Sequence, residues 1–238
     1  MSFPKITRNE LAKMIDHSLL KPTVTKNETM EGIKTALHYN VAAVTVKPCY
    51  VPLAAEMCRG SDVLVDPVID FPHGYAPTKT KAFEAKLAVE QGAGEIDMVM
   101  NLGAFLGGEY DYVRNDIAAV VEAAGGAPVK VIFETHYFDD YGLLRKACRL
   151  AEEAGASFVK TSTGFAPSGF NLHHLKVMRD AVSGKVQVKA AQGVRSLEDA
   201  LAVRALGVKR FGATCTAQIM AQWDEEFGKK LKPHIWLW

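Results

Sequence analysis

Apolar and polar positions along the chain fall into two alternating periods. Short aliphatic, β-branched runs occupy residues 14–19, 42–46, 63–69, 95–100, 129–134, 186–190 and 209–213, and a further one begins at Ser157. Between them lie longer stretches whose apolar positions recur at helical spacing: 26–39, 51–58, 78–91, 110–124, 141–154, 172–182, 197–206 and 217–227. A short amphipathic piece at 10–13 precedes the first run. The punctuation agrees: Pro48 stops the second run, Gly92-Ala93-Gly94 closes the helix before the fourth, and Gly125-Gly126 ends the next helix. The first strand is the weakest of the eight, and Pro67 counts against a central place for the third.

Strict alternation of short strands with helices predicts βαβ units and a parallel sheet. Eight such units in 238 residues fit a closed α/β architecture, the (β/α)8 TIM barrel, here with a short N-terminal helix. An open doubly wound sheet is the alternative, but no Gly-x-Gly-x-x-Gly follows the early strands. No linker-like stretch divides the chain, so residues 1–238 are expected to form a single barrel domain.

Composition narrows the function. With 48% hydrophobic residues, 23% charged and a net charge of +1, nothing argues for nucleic acid or an anionic membrane as partner. The N-terminus lacks the apolar core of a signal peptide and no run spans a membrane, so a cytoplasmic setting is expected. Cys49, Cys58, Cys148 and Cys215 lie far apart, which suggests neither a zinc knuckle nor a disulfide framework. His73 and His136 fall on loops at one end of the barrel, but no HxH or HxxxH spacing supports a metal, and none is expected.

The oddities are two lysines inside apolar strands. Lys160 ends Ser157-Phe158-Val159-Lys160 and is followed by hydroxyls and Gly164, while Lys189 ends Val186-Gln187-Val188-Lys189. Period-two alternation turns Lys160 with Phe158 and Ser162, Lys189 with Gln187, and Glu95 with Asp97 toward the barrel axis. Two ammonium groups converging on one pocket disfavour each other's charged form, which frees an amine to attack a carbonyl at neutral pH. Asp16 on the first strand can join them across the barrel, or pair structurally with Lys189 or Lys21.

Several ordered motifs carry a family resemblance: Ile15-Asp16-His17-Ser18-Leu19-Leu20-Lys21-Pro22, Lys81-Ala82-Phe83-Glu84, Glu95-Ile96-Asp97-Met98-Val99, Val159-Lys160-Thr161-Ser162-Thr163-Gly164-Phe165 and Val188-Lys189-Ala190. Together they resemble the deoxyribose-phosphate aldolases. The resemblance implies a cofactor-free class I aldolase that reversibly cleaves 2-deoxy-D-ribose 5-phosphate to acetaldehyde and D-glyceraldehyde 3-phosphate. It makes Lys160 the Schiff-base lysine, Lys189 the second lysine that lowers its pKa, and Asp97 the carboxylate that moves protons. Asp16, Thr163, Gly164, Gln192, Gly193, Gly212 and Thr214 become the expected substrate-binding positions, and a homo-oligomer, dimer or tetramer, is expected.

The chain departs from the family pattern on the expected phosphate loops, with Gln192-Gly193 in place of a Gly-Gly pair and Thr214-Cys215 in place of serines. A Gln side chain can obstruct an oxyanion's approach to the backbone, and Cys donates less well than Ser. Two readings stay open: a tolerated variation, or the same mechanism with an unphosphorylated or differently charged acceptor. Lys47, His73 and the stretch Glu134-Thr135-His136-Tyr137-Phe138 add charge and bulk near the same mouth. Some family members end in a tyrosine that reaches the site, a phenol that Trp238 cannot supply. The apolar tail at 229–238 is expected to pack on the barrel or a partner. A barrel that binds a sugar phosphate without catalysis is the rival of another class.

Overall fold

The computed structural model describes residues 6–228. The expectation for the tail falls outside them. Eight strands, β1 (Ile15–Ser18), β2 (Ala43–Val46), β3 (Leu64–Ile69), β4 (Ile96–Val99), β5 (Val129–Ile132), β6 (Phe158–Lys160), β7 (Gln187–Ala190) and β8 (Arg210–Ala213), pair in chain order, and β8 closes on β1. Every pairing is parallel. The closed (β/α)8 barrel is therefore the fold.

Outside it run α1 (Arg8–Ala12), α2 (Lys26–Tyr39), α3 (Val51–Cys58), α4 (Thr78–Glu90), α5 (Leu102–Leu106), α6 (Tyr110–Ala123), α7 (Tyr141–Glu153), α8 (Leu172–Ala181), α9 (Leu197–Ala205) and α10 (Thr216–Glu226). Capping boxes start three of them, with Thr7 and Glu10 at α1, Thr25 and Glu28 at α2, and Ser196 and Asp199 at α9. The short helix α5, which apolar periodicity did not reveal, is one extra turn started by the Asn101 side chain. Pro67 does sit inside β3, opposite Val46, while the ladder to β4 starts only at Val68. Among the described residues no helix is long and apolar enough to cross a membrane.

Alternation along the strands divides two environments. Val44, Val65, Met98, Val131, Val159, Val188 and Phe211 are buried in one continuous apolar cluster with residues of the helices. Burial of such side chains contributes about 1.5–3 kcal/mol each, and this apolar layer holds the barrel together. Their neighbours along the strands face the axis, where the register sets Lys160 beside Lys189, Lys189 beside Arg210 and Asp97 beside Lys130. The interior is thus charged as well as packed.

Candidate active site

Four carboxylates and four cations meet on the barrel axis, and their order along it decides the chemistry. Lowest lies Glu95, which accepts from Arg210 at 2.8 Å and pairs with Lys130 at 2.8 Å. Phe158 lies near both cations, each 5.9 Å from its ring centroid. Lys130 also pairs with Asp66 at 2.9 Å and Asp97 at 3.3 Å. Above it, Lys189 Nζ is shared by Asp16 at 2.5 Å, Asp97 at 2.7 Å and Asp66 at 3.2 Å. Thr45 donates to Asp66, and Arg210 holds the other oxygen of Asp16 at 2.5 Å. Lys160 is uppermost and meets a single carboxylate, Asp97 Oδ2, at 2.5 Å.

That asymmetry separates the two lysines. Burial disfavours the ammonium form of both. For Lys189 the attraction of Asp16, Asp66 and Asp97 outweighs burial, and its pKa rises. For Lys160 burial prevails, helped by the repulsion of Lys189 and opposed by Asp97, so its pKa falls. Asp97 is held well below the usual carboxylate range, because Lys160, Lys189 and Lys130 together overcome the cost of burying it. Burial instead raises Glu95, whose cations compensate it only in part. Asp16, Asp66 and Glu95 bring oxygens within 4.8 Å of one another, as metal ligands do. The Lys130 ammonium already stands among them, so the charge that a cation would supply is present in the chain.

Lys160 and Lys189 open onto a cavity of about 360 Å³ at the C-terminal ends of the strands, where Ser18 and Thr45 complete the floor. Its walls are the loops after β1, β6, β7 and β8. Of the expected positions, Thr163, Gly164, Gln192, Gly193, Gly212 and Thr214 all line this cavity. Asp16 and Asp97 lie beneath it, fully buried, and Asp16 pairs with Lys189 and Arg210 rather than Lys21. The Gln192 side chain does not block the cavity in the way feared: its Nε2 donates to Ala166 O at 2.8 Å and ties the β7 loop to the β6 loop. Lys21 and Arg195 both line the cavity and bring two cationic side chains to its wall. The first turn of α10 receives no side-chain cap from Cys215, which leaves amides at its N-terminus open to an anion.

Two outer motifs support the mouth. Lys81, fully buried, bridges Asp116 at 2.7 Å and Asp70 at 3.5 Å, and Glu84 accepts from Asp70 N at 2.8 Å. This pins the loop after β3, whose Phe71 packs edge-on against Phe165 at 5.3 Å. After β5, Glu134 adopts φ 55° and accepts hydrogen bonds from both the amide and the hydroxyl of Thr163. Sequence reasoning missed Asp66, Lys130 and Arg210 as members of the site, and it placed Glu134 at the mouth only as charge and bulk. Lys130, flanked by Val129 and Val131, carried the same signal as Lys160.

Comparison with known proteins agrees with this geometry. The family model described as DeoC/LacD family aldolase matches residues 10–219. A deoxyribose-phosphate aldolase of Clostridium novyi is 49% identical over 211 residues, covering 88% of this chain and 95% of that protein. One from Caldanaerobacter subterraneus is 46% identical over 219 residues, covering 91% and 94%. The tetrameric deoxyribose phosphate aldolase from Aeropyrum pernix superposes with a TM-score of 0.85 at 28% identity, covering 92% of each chain. With both strand-end lysines and the cavity above them inside the matched region, the chain belongs to the DeoC/LacD family of aldolases.

Proposed function

We propose that this protein is a deoxyribose-phosphate aldolase, cleaving 2-deoxy-D-ribose 5-phosphate reversibly to acetaldehyde and D-glyceraldehyde 3-phosphate through a Schiff base on Lys160. The observation that carries the reading is the contrast between the lysines: Lys160 borders the cavity with one carboxylate and a lowered pKa, while Lys189 is held as an ammonium by three. The neutral amine of Lys160 attacks the aldehyde of the open-chain sugar, and loss of water gives a protonated imine. The C3 hydroxyl proton leaves toward the Asp97–Lys189 pair, through a water. The C2–C3 bonding electrons then flow into the imine, the phosphorylated aldehyde departs, and an enamine remains on Lys160. Protonation of its carbon and hydrolysis release acetaldehyde and the free amine.

The phosphate end is assigned to the loops after β7 and β8. Gly193 and the open first turn of α10 offer backbone amides there, and Lys21 and Arg195 offer charge. The second reading, an unphosphorylated acceptor, is favoured by Thr214-Cys215 at the place of the family's serines. We also propose that residues 1–238 act as one domain and that the protein forms a homo-oligomer, for which the Aeropyrum pernix tetramer is the support. A cytoplasmic setting is supported by four free cysteines.

The test is borohydride trapping with acetaldehyde, followed by turnover assays. An ethyl adduct on Lys160 and cleavage of deoxyribose 5-phosphate are expected, and Lys160→Leu loses both. Lys21→Ala with Arg195→Ala should raise KM about 10-fold or more for the phosphorylated sugar while leaving unphosphorylated deoxyribose unchanged. Equal rates with both sugars would favour the second reading, and an adduct elsewhere than Lys160 would refute the first.

A further inference from the structure

Two cavities divide the C-terminal face of the barrel. The one above Lys160 and Lys189 spreads over the ends of β1, β2, β6, β7 and β8, and its cations Lys21 and Arg195 favour a phosphorylated acceptor on that side. The other, of about 180 Å³, lies over β3, β4 and β5 and meets the first along the loop after β6, where Thr163 and Phe165 line both. The strand at their seam is the one that carries Lys160. We propose that the second cavity holds the alkyl chain of an aldehyde donor longer than acetaldehyde, so that the protein also condenses straight-chain aldehydes through their C2 carbon. This rests on the Schiff-base reading of Lys160.

Position, lining and size carry it. Lys160 Nζ lies 2.5 Å from Asp97 Oδ2 on β4, and Val99 is the next axis-facing residue of that strand, about 7 Å further up. Val99 is buried and lines the second cavity, while Met98 and Met100 on either side of it join the helix-facing apolar cluster. The amine therefore stands beneath the β4 edge of this cavity. Pro72, Val99, Leu102, Tyr137, Phe165 and Ala166 make its lining mainly apolar. Its polar side chains are engaged elsewhere: both Glu134 oxygens accept from Thr163, and the His73 ring stacks on Tyr75 at 5.2 Å. Among the described residues no lysine or arginine lines it, so nothing there draws a phosphate. An apolar cavity of about 150 Å³ takes a benzene ring, and by that measure this one takes a chain of about four carbons.

The chemistry is that already assigned to Lys160, run on a longer donor. The amine adds to the donor carbonyl and water leaves, giving a protonated imine. One C2 proton departs and its bonding electrons form the enamine. The enamine C2 then bonds to the carbonyl carbon of the acceptor, whose oxygen takes up a proton, and hydrolysis of the new imine restores the amine. The acceptor extends over β7 and β8, toward Lys21 and Arg195, so the alkyl group on C2 leaves the other way, toward β4. The product is a 3-hydroxyaldehyde that carries the alkyl branch on C2.

The test is borohydride trapping on the full-length protein with the straight-chain aldehydes from acetaldehyde to hexanal. Peptide mass spectrometry reads the adduct on Lys160, and the adduct on exposed Lys34 corrects for each aldehyde's own reactivity. The half-saturating concentration at Lys160 should fall about fourfold for each methylene buried. With D-glyceraldehyde 3-phosphate as acceptor, the condensation product should grow by one methylene mass at each step of the series. Leu102→Trp and Ala166→Leu, which fill the second cavity from different sides, should each abolish the gain with chain length and leave acetaldehyde trapping within about threefold of the parent. Circular dichroism checks that both are folded. A parent protein that traps acetaldehyde but shows no gain along the series overturns the proposal, as does a gain that survives in both filled variants. Absence of acetaldehyde trapping on Lys160 would instead overturn the Schiff-base reading itself.

Discussion

Replacing Lys189 with Met removes one buried charge and tests what sets the nucleophile's pKa. Lys160 and Lys189 touch the same oxygen of Asp97 at 2.5 and 2.7 Å. Their nitrogens are therefore no more than about 5 Å apart, and at an effective dielectric of about 20 the repulsion is roughly 3 kcal/mol, or about two pKa units. Removing it raises the pKa of Lys160, because Asp97 then acts on that amine without a competitor. The sign follows: the neutral fraction at pH 7 falls about 100-fold and is recovered only at higher pH. Uptake of a proton by Asp16 or Asp66 in place of the lost ammonium would reduce the shift. The assay is the rate of acetaldehyde trapping on Lys160 against pH, with circular dichroism as the check on folding. A pH midpoint that stays in place, or moves toward acid, would refute the argument that Lys189 activates Lys160 by its charge. Lys189→Arg, which keeps the charge, should move the midpoint much less.

Asp97→Asn is expected to shift the same midpoint toward acid, since the carboxylate opposes deprotonation of Lys160, yet to lower kcat about 10²- to 10⁴-fold through loss of the proton carrier; a kcat within threefold of the parent would remove Asp97 from the mechanism. Stability should depend on His17, which is buried against Thr216 at 2.8 Å with its pKa lowered from 6.5 to about 4. The unfolded chain binds the extra proton first, so stability is full above pH 6.5 and about 3 kcal/mol is lost as pH falls to about 4. Urea unfolding of His17→Gln should show a correspondingly flatter acid limb, and an unchanged limb would sink the assignment. Lys81→Met leaves Asp116 buried without its cation and should cost about 3–5 kcal/mol by urea titration, while trapping on Lys160 persists below the transition.

Where the sequence reading succeeded, one local rule was enough. Period-two alternation turned Lys160, Lys189 and Asp97 inward before any tertiary contact was known, because an apolar residue on either side has only the helix layer to pack against. The strand count and closure followed from the alternation of the two periods, and observed strands such as β2 and β8 end within a residue or so of the expected runs. Lys130 and Arg210 obeyed the same rule and were passed over, since nothing local says whether a lone cation in a strand has a partner. Their partners on non-adjacent strands are Asp66 of β3 for Lys130 and Glu95 of β4 for Arg210, and Asp16 of β1 meets Arg210 of β8 at the seam where the barrel closes. Only closure of the sheet brings them together. Gln192 marks the same limit at smaller scale. Its obstruction of the cavity was inferred from side-chain size, but its backbone lies at φ 62° and sends the amide to Ala166 O on the next loop. A residue's identity fixes what it can donate, and the fold fixes to whom. The expected inward orientation therefore held, while contacts that depend on a particular neighbour were not legible.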